Sequence, residues 1–547
     1  MTAFIRKHPA GAVAVFFLAL FLLGFCTAPD YGISLDQQSE AVILRENLKE
    51  YAVQLLGENS DAVRYYDSIR LPRITETPEI DHGMAAFYPL APFMTLMDSD
   101  QSSLFPLWNR LSWCWFMAGV LALYCLCRRL GMGRLAACAG AMLMYLSPRF
   151  FAEGHYNNKD MVLLSLSLLV MLAGVRLWEK PKLLRGILFA LAGALCANIK
   201  IIGICIFGVM GLAALVLLTA QRRWSRQTAA AAACTLLCFC LFYWLLTPAM
   251  WREPAGYFRY LLKNATGFTR WDNFVLFRGV LFQHSTAPLP FYYLPYMMIV
   301  TLPVFVLALA GLGQLTAAGY CLRRRRELFS DPTGMLLICA TLIWAAPLGY
   351  AVLSDPVVYN GWRHFYFVFA GLSVLGAWGL ECLIRFFRKH ANRWQQIAAA
   401  ALAGVCLLTS AVGIAMNHPY QYAYYNALGR WLCPVPMEEG MELDYWCVST
   451  VDALERAAQQ QAEEPLTYAA RDPLTQLAID YYHPALPKTL REKLSPPLPE
   501  GSESDLIAVN TTYHHMYGTP LPEGYEPIAE IRSYGNTLVK VYAPTGK

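Results

Sequence analysis

Five ionisable side chains fall where an apolar chain should have none. Asp36, Asp160, Lys200, Arg363 and His364 border lipid-like runs in four separate stretches of the sequence. A charge at membrane depth costs roughly 2.5–3.5 kcal/mol on insertion scales, so such groups are retained where they face a cavity and act. A carboxylate in that position is a proton acceptor, and an arginine is a planar, two-pronged donor for an oxyanion. The densest case is "SPRFFAEGHYNNKD", which puts Arg149, Glu153, His155, Asn157, Asn158, Lys159 and Asp160 between two apolar runs. We read this cluster as the lining of the mouth of an active cavity.

The elements that must hold these residues are membrane helices. Of 547 residues 56% are hydrophobic and 15% charged, and the mean hydropathy is +0.35, which moves the chain away from soluble multidomain proteins. Runs long enough to cross a bilayer lie at about 10–28, 106–127, 135–150, 161–178, 227–247, 291–318, 334–354, 365–384 and 394–416. A further apolar run between Arg185 and Arg222 is too long for one span and basic at both ends, so it reads as two short spans with a tip at "ANIKIIG". Basic residues mark alternate loops: Arg6/Lys7, Arg128/Arg129/Arg134, Arg176 to Arg185, Arg222/Arg223/Arg226, Arg323 to Arg326 and Arg385 to Arg393. The positive-inside rule makes these loops cytoplasmic. The expected fold is an all-α polytopic bundle of about eleven crossings, amino terminus inside and carboxyl terminus outside. The net charge of +5 is scattered between spans, which argues against a nucleic-acid partner.

Two segments outside the spans have their own character. Residues 29–105 contain "ENLKEYAVQLLG" and "DAVRYYDSIR", apolar at helical spacing, and are expected to form short helices lying on the membrane surface. Beyond residue 416 acids outnumber bases about two to one; "LTYAA", "DLIAVNTT" and "EPIAEIRSYGNTLVKVYAP" read as strands and "PLTQLAIDYYH" as a helix. The expected division is a transmembrane catalytic domain over 1–416 and a small extracytoplasmic α/β domain over 417–547. Cys433 and Cys447 both fall outside the spans, where a disulfide between them is left open. The "DSD" at 98–100 is read as loop composition rather than a metal motif.

Taken together, "YGISLDQQSE", "SPRFFAEGHYNNKD", "ANIKIIG", "TPAMWREP", "YNGWRHFYF", "NHPYQYAYYN" and "DYW" resemble, in order, the GT-C-fold membrane glycosyltransferases of family 39, the dolichyl-phosphate-mannose protein mannosyltransferases and their bacterial relatives. The resemblance implies sugar transfer from a polyprenyl-phosphate carrier, with inversion, on the outer face of a plasma membrane, a bacterial one being favoured. It implies that Asp36 is the general base and that Asp160 is the second acidic position. Arg363, Lys200, His364 and Lys159 are then candidates for the donor phosphate, and Gln37, His155, Asn157, Tyr420 and Tyr422 for the acceptor or sugar. The family has Glu where this chain has Gln37, which leaves the acceptor class and any divalent cation open. Expected partners are the lipid-linked donor, membrane lipid and an unidentified acceptor (protein, lipid or polysaccharide). Two other readings stand beside this one, a non-catalytic partner in envelope polysaccharide assembly and a transporter. The latter should carry inverted repeats around a midplane site, and the sequence shows none.

Overall fold

The computed structural model describes residues 9–267, 271–461 and 465–546; Arg6 and Lys7, which bear on the expected orientation, lie outside them. Helix α1 (Pro9–Thr27) leads into a short turn that buries Ala28 and Tyr31, and then into α2 (Leu35–Leu56) and α3 (Asp61–Ser68). The bundle continues with α4 (Gln101–Arg129), α5 (Arg134–Tyr145), α6 (Pro148–Tyr156), α7 (Asp160–Glu179), α8 (Leu183–Ile199), α9 (Ile202–Ala220) and α10 (Arg226–Leu246). After α11 (Pro254–Thr266) and the hairpin β1 (Val275–Phe277) and β2 (Val280–Phe282) come α12 (Tyr293–Thr301), α13 (Val304–Arg323), α14 (Pro332–Ser354), α15 (Phe369–His390) and α16 (Arg393–Met416).

Among the described residues nine helices are long and apolar enough to cross a membrane. The other two expected crossings are the 17-residue α8 and the pair α5–α6, which bends by 68°. That bend corrects the expected straight span over 135–150. Ser147 precedes Pro148, which cannot donate to a continuing helix and pushes its predecessor out of the helical region, so Ser147 is extended. The expected 291–318 span is broken in the same way at Pro303, between α12 and α13.

Helix α7 is the axis of the bundle, buried along almost its whole length against α4, α8 and α9. By contrast α16 buries only Ile414 and turns the rest of its surface outward, as a lipid-facing helix would. Helices α13 and α15 approach backbone to backbone: a Cβ on Gly313 would lie 1.8 Å from the Leu375 carbonyl oxygen. Small residues are what permit such contact where lipid supplies no hydrophobic drive.

The region after α16 forms a four-stranded mixed sheet, ordered β3 (Tyr468–Ala470), β4 (Leu506–Asn510), β6 (Asn536–Pro544), β5 (Tyr525–Ser533), with helix α17 (Pro473–Tyr482) beside it. The β5–β6 hairpin turns on Tyr534 and Gly535, both with positive φ, the backbone a two-residue primed turn requires. This unit does not hang free. Its core is continuous with that of the helices, and Tyr534 N–H donates to Asn417 Oδ1 at 2.6 Å. Helix α2 also departs from expectation. It does not lie on the surface but is packed between the bundle and helix α17, burying Gln37, Glu40, Arg45, Glu46, Lys49 and Glu50.

Candidate active site

Asp36 stands in the first turn of α2. Ser34 N–H donates to Gln37 Oε1 at 2.8 Å, closing the helix end, while Gln37 Nε2 donates to Asn109 Oδ1 at 2.7 Å. Gln37 is fully buried, so the structure corrects its expected role at the acceptor. It ties α2 to α4, and a glutamate, with acceptors only, could not make the bond to Asn109. Asp36, one residue earlier, keeps 43% of its side chain exposed.

Arg363 opens the short helical turn that leads into α15. Its Nη1 donates to Asp36 Oδ2 at 2.7 Å, and its guanidinium lies between the rings of Tyr359 and Trp446, 5.0 and 4.6 Å from their centroids. The Arg363 Nε is buried and has no hydrogen-bond partner among the described residues. Asp160, the first residue of α7, is reached by Asn157 Oδ1, which accepts from its N–H at 2.9 Å. Lys200, at the tip between α8 and α9, donates to Asp160 Oδ1 at 2.5 Å and is 29% exposed. Asn198 fixes that tip by accepting from Ala85 N–H at 2.9 Å and donating to Leu246 O and Thr247 Oγ1, each at 3.0 Å. Arg363 and His364 both lie within electrostatic reach of Asp160. Lys159 sits in the same neighbourhood, paired with Glu40 at 2.8 Å and with His82 Nδ1 at 2.7 Å.

Two carboxylates and two strong cations from four elements therefore meet as adjacent ion pairs. Both carboxylates occupy first turns of helices, where unpaired N–H groups suit an anion. The arrangement holds a proton acceptor beside cations able to meet a developing oxyanion.

The rest of the polar stretch turns inward. His155 is fully buried, stacked between Tyr31 and Trp113 at 3.9 and 4.3 Å, its ring nitrogens facing the Phe151 and Gly24 carbonyls at 3.0 and 3.2 Å. Asn157 donates to Glu153 Oε2 at 2.7 Å. Glu153 Oε1 accepts from the hydroxyls of Tyr366 and Tyr445 at 2.8 and 2.9 Å. Arg149 Nε donates to the Tyr424 carbonyl at 2.9 Å with its guanidinium over Tyr425. His155 is thus turned into the core, away from the expected acceptor position, and Asn157 is taken up by Glu153 and by the Asp160 N–H. The same correction applies to the expected sugar platform: Tyr420 and Tyr422 are buried, with their hydroxyls on Asp452 and Asp444. Asp444, sealed with Tyr422 and Ser449, has its carboxyl pushed up to about 7 by burial, and burial lifts Glu442 to about 8. Cys433 and Cys447 are free thiols. Asp98 of "DSD" pairs with Arg45 at 2.8 Å. Among the described residues no group of three or more His, Cys, Asp or Glu is placed to hold a metal ion. Sequence reasoning assigned no role to Tyr359 or Trp446, although "VVYNGWRHF" and "DYW" set aromatics beside the arginine and in the tail.

Residues 81–246, which span α4 to α10 and carry Asp160 and Lys200, match the family model described as dolichyl-phosphate-mannose-protein mannosyltransferase. That match covers less than a third of the chain and is a similarity over that stretch. It is also similar to solved structures of ArnT from Cupriavidus metallidurans. With the one bound to undecaprenyl phosphate it shares 14% identity over 96% of this chain and 97% of that one, at a TM-score of 0.42. With the apo form it shares 14% over 97% and 98%, at 0.43. Arabinofuranosyltransferase AftD from Mycobacteria is similar at 14% identity and a TM-score of 0.41, over 98% of this chain and 40% of that one. No curated protein matches.

Proposed function

We propose that the chain is an inverting glycosyltransferase that takes sugar from a polyprenyl-phosphate carrier and passes it to an acceptor at the extracytoplasmic face of a plasma membrane. The observation that carries this reading is the meeting of Asp36–Arg363 and Asp160–Lys200 at one end of the bundle. The opposite end gathers the basic loops: Arg129 pairs with Glu179, Arg223 donates to the carbonyls of Trp178 and Glu179, and Arg185 donates to that of Arg176. The positive-inside rule favours a cytoplasmic position for that end, which supports an outside position for the ion pairs. An activated sugar reaches such a site through the bilayer on a lipid, because nucleotide sugars are cytosolic.

In the proposed mechanism Asp36 removes the proton from the attacking acceptor group, opposite the leaving phosphate. Charge grows on that phosphate as the glycosidic bond breaks, and fixed cations aimed at it in a dry site contribute several kcal/mol. Arg363 and Lys200 supply them, with His364 and Lys159 alongside. Arg363 links the two tasks: Nη1 holds the base while Nε has no hydrogen-bond partner among the described residues. An arriving phosphate competes for the guanidinium and frees the carboxylate once the donor is seated. Purified full-length chain given a labelled polyprenyl-phosphate sugar and a membrane extract as acceptor should transfer label, with Arg363→Ala reducing turnover or donor binding. Transfer by Arg363→Ala at the wild-type rate would move that side chain out of the mechanism. Running the assay with and without a chelator decides whether a divalent cation takes part.

A further inference from the structure

The ion pair beside the opening is held from the carboxyl-terminal side of the molecule, by a residue well beyond the last membrane helix. Trp446 is 2% exposed; it touches Arg363 directly and reaches Asp36 only through the neighbouring Leu35. Its ring lies over the Arg363 guanidinium, 4.6 Å from centroid to Cζ, opposite Tyr359. Its main-chain carbonyl accepts from Leu35 N–H at 3.1 Å, the first amide of α2 and the neighbour of Asp36. The same carbonyl accepts from the Tyr482 hydroxyl at 3.0 Å, and Gln38 Nε2 donates to the Tyr481 carbonyl at 2.8 Å. The end of α17 therefore braces the first turn of α2 once directly, through Gln38, and once by way of the Trp446 carbonyl. The Trp446 ring is wedged in turn by Tyr156 at 5.6 Å and Tyr445 at 5.2 Å, and Tyr445 is anchored on Glu153.

We infer that Trp446 is a positioning residue for the Asp36–Arg363 pair, and that the carboxyl-terminal α/β unit thereby completes the active site instead of serving as an appendage. The inference rests on the proposed role of that pair. A planar π face attracts a cation where an aliphatic side chain of similar bulk only fills space. Every substitution at 446 retains the carbonyl that holds Leu35, so side-chain variants isolate the ring.

The test uses full-length chain in detergent, comparing Trp446→Phe with Trp446→Leu. Leu should lower kcat by about tenfold or more with the donor KM changed by less than about threefold, the pattern of a lost transition-state arrangement. Phe should restore most of the rate. A second readout needs no activity: melting temperatures of Trp446→Leu, Arg363→Met and the double variant should be non-additive, because the two side chains touch. Leu performing as well as Phe, or additive melting shifts, overturns the inference. A coupled cycle in a chain that transfers no sugar overturns the catalytic reading of the site instead, and leaves the contact standing.

Discussion

One stretch, residues 147–160, supplies charges to two clusters that differ in kind. Arg149 and Glu153 are sealed in a knot of Tyr366, Tyr445, Tyr424 and Tyr425, with 3% and 0% of their surface exposed. A few residues on, Asp160 and Lys200 stand next to Asp36 and Arg363, where the members at the opening keep 29% and 43% of their side chains accessible. A closed network in a low dielectric specifies an arrangement and stays put. A network open on one side holds the same kinds of group where a substrate can reach them. Position in the sequence does not separate the two clusters. What separates them is whether a tyrosine or the solvent completes the shell.

The comparison breaks if the open cluster proves inert or the sealed one proves reactive. The largest effect is expected for Asp36→Asn, with transfer falling about 10²–10⁴-fold, the usual worth of a general base. Its melting temperature should fall less than a fully buried pair would cost, because the carboxylate is 43% exposed although Arg363 loses its charged partner. Glu153→Ala should do the opposite. Removing one member of a buried charged network costs about 3–5 kcal/mol, seen as a lower melting temperature and poorer yield, with donor KM unchanged in the folded fraction. Lys200→Met sharpens the contrast, since it leaves Asp160 buried beside an apolar side chain. Turnover should drop roughly 10–100-fold with a smaller loss of melting temperature, a cost between the other two. The smallest effect concerns pH. Asp444 and Glu442 are held at about 7 and about 8, above their unfolded values. Their stabilisation is fully present below roughly pH 4 and is lost as pH rises through that window, because the folded chain keeps protons the unfolded chain has released. Melting temperature should therefore decline from pH 5 to pH 8 and level off above. A melting temperature that rises over that range would show these carboxyls to be ionised in the fold.

The membrane character, the order of the helices and the strands of the tail were legible because each depends on a local property: run length, basic flanks, or alternation ended by turn residues. The β5–β6 pair is a case in point, both strands lying within the one stretch read as strands. The breaks at Ser147–Pro148 and Pro303 were also written locally, in the prolines, but lay hidden inside apolar runs of spanning length. The candidates Asp36, Asp160, Lys200 and Arg363 were legible as charges out of place, and the structure brings them together. Gln37, His155, Asn157, Tyr420 and Tyr422 looked equally suitable and are buried. Their types permit either role, and only the partners choose.

By itself the sequence determined that this chain is a polytopic helical membrane protein and which of its charges are costly enough to need a reason, since both follow from the transfer energy of residues taken one run at a time. Only the tertiary structure decided which charges share a shell, that α2 is a wedge and not a surface helix, and that Trp446 reaches back to Arg363 and Leu35. Those last contacts join residues 83 and 411 positions apart. They are set by how helices and sheet close on one another, which no local pattern encodes.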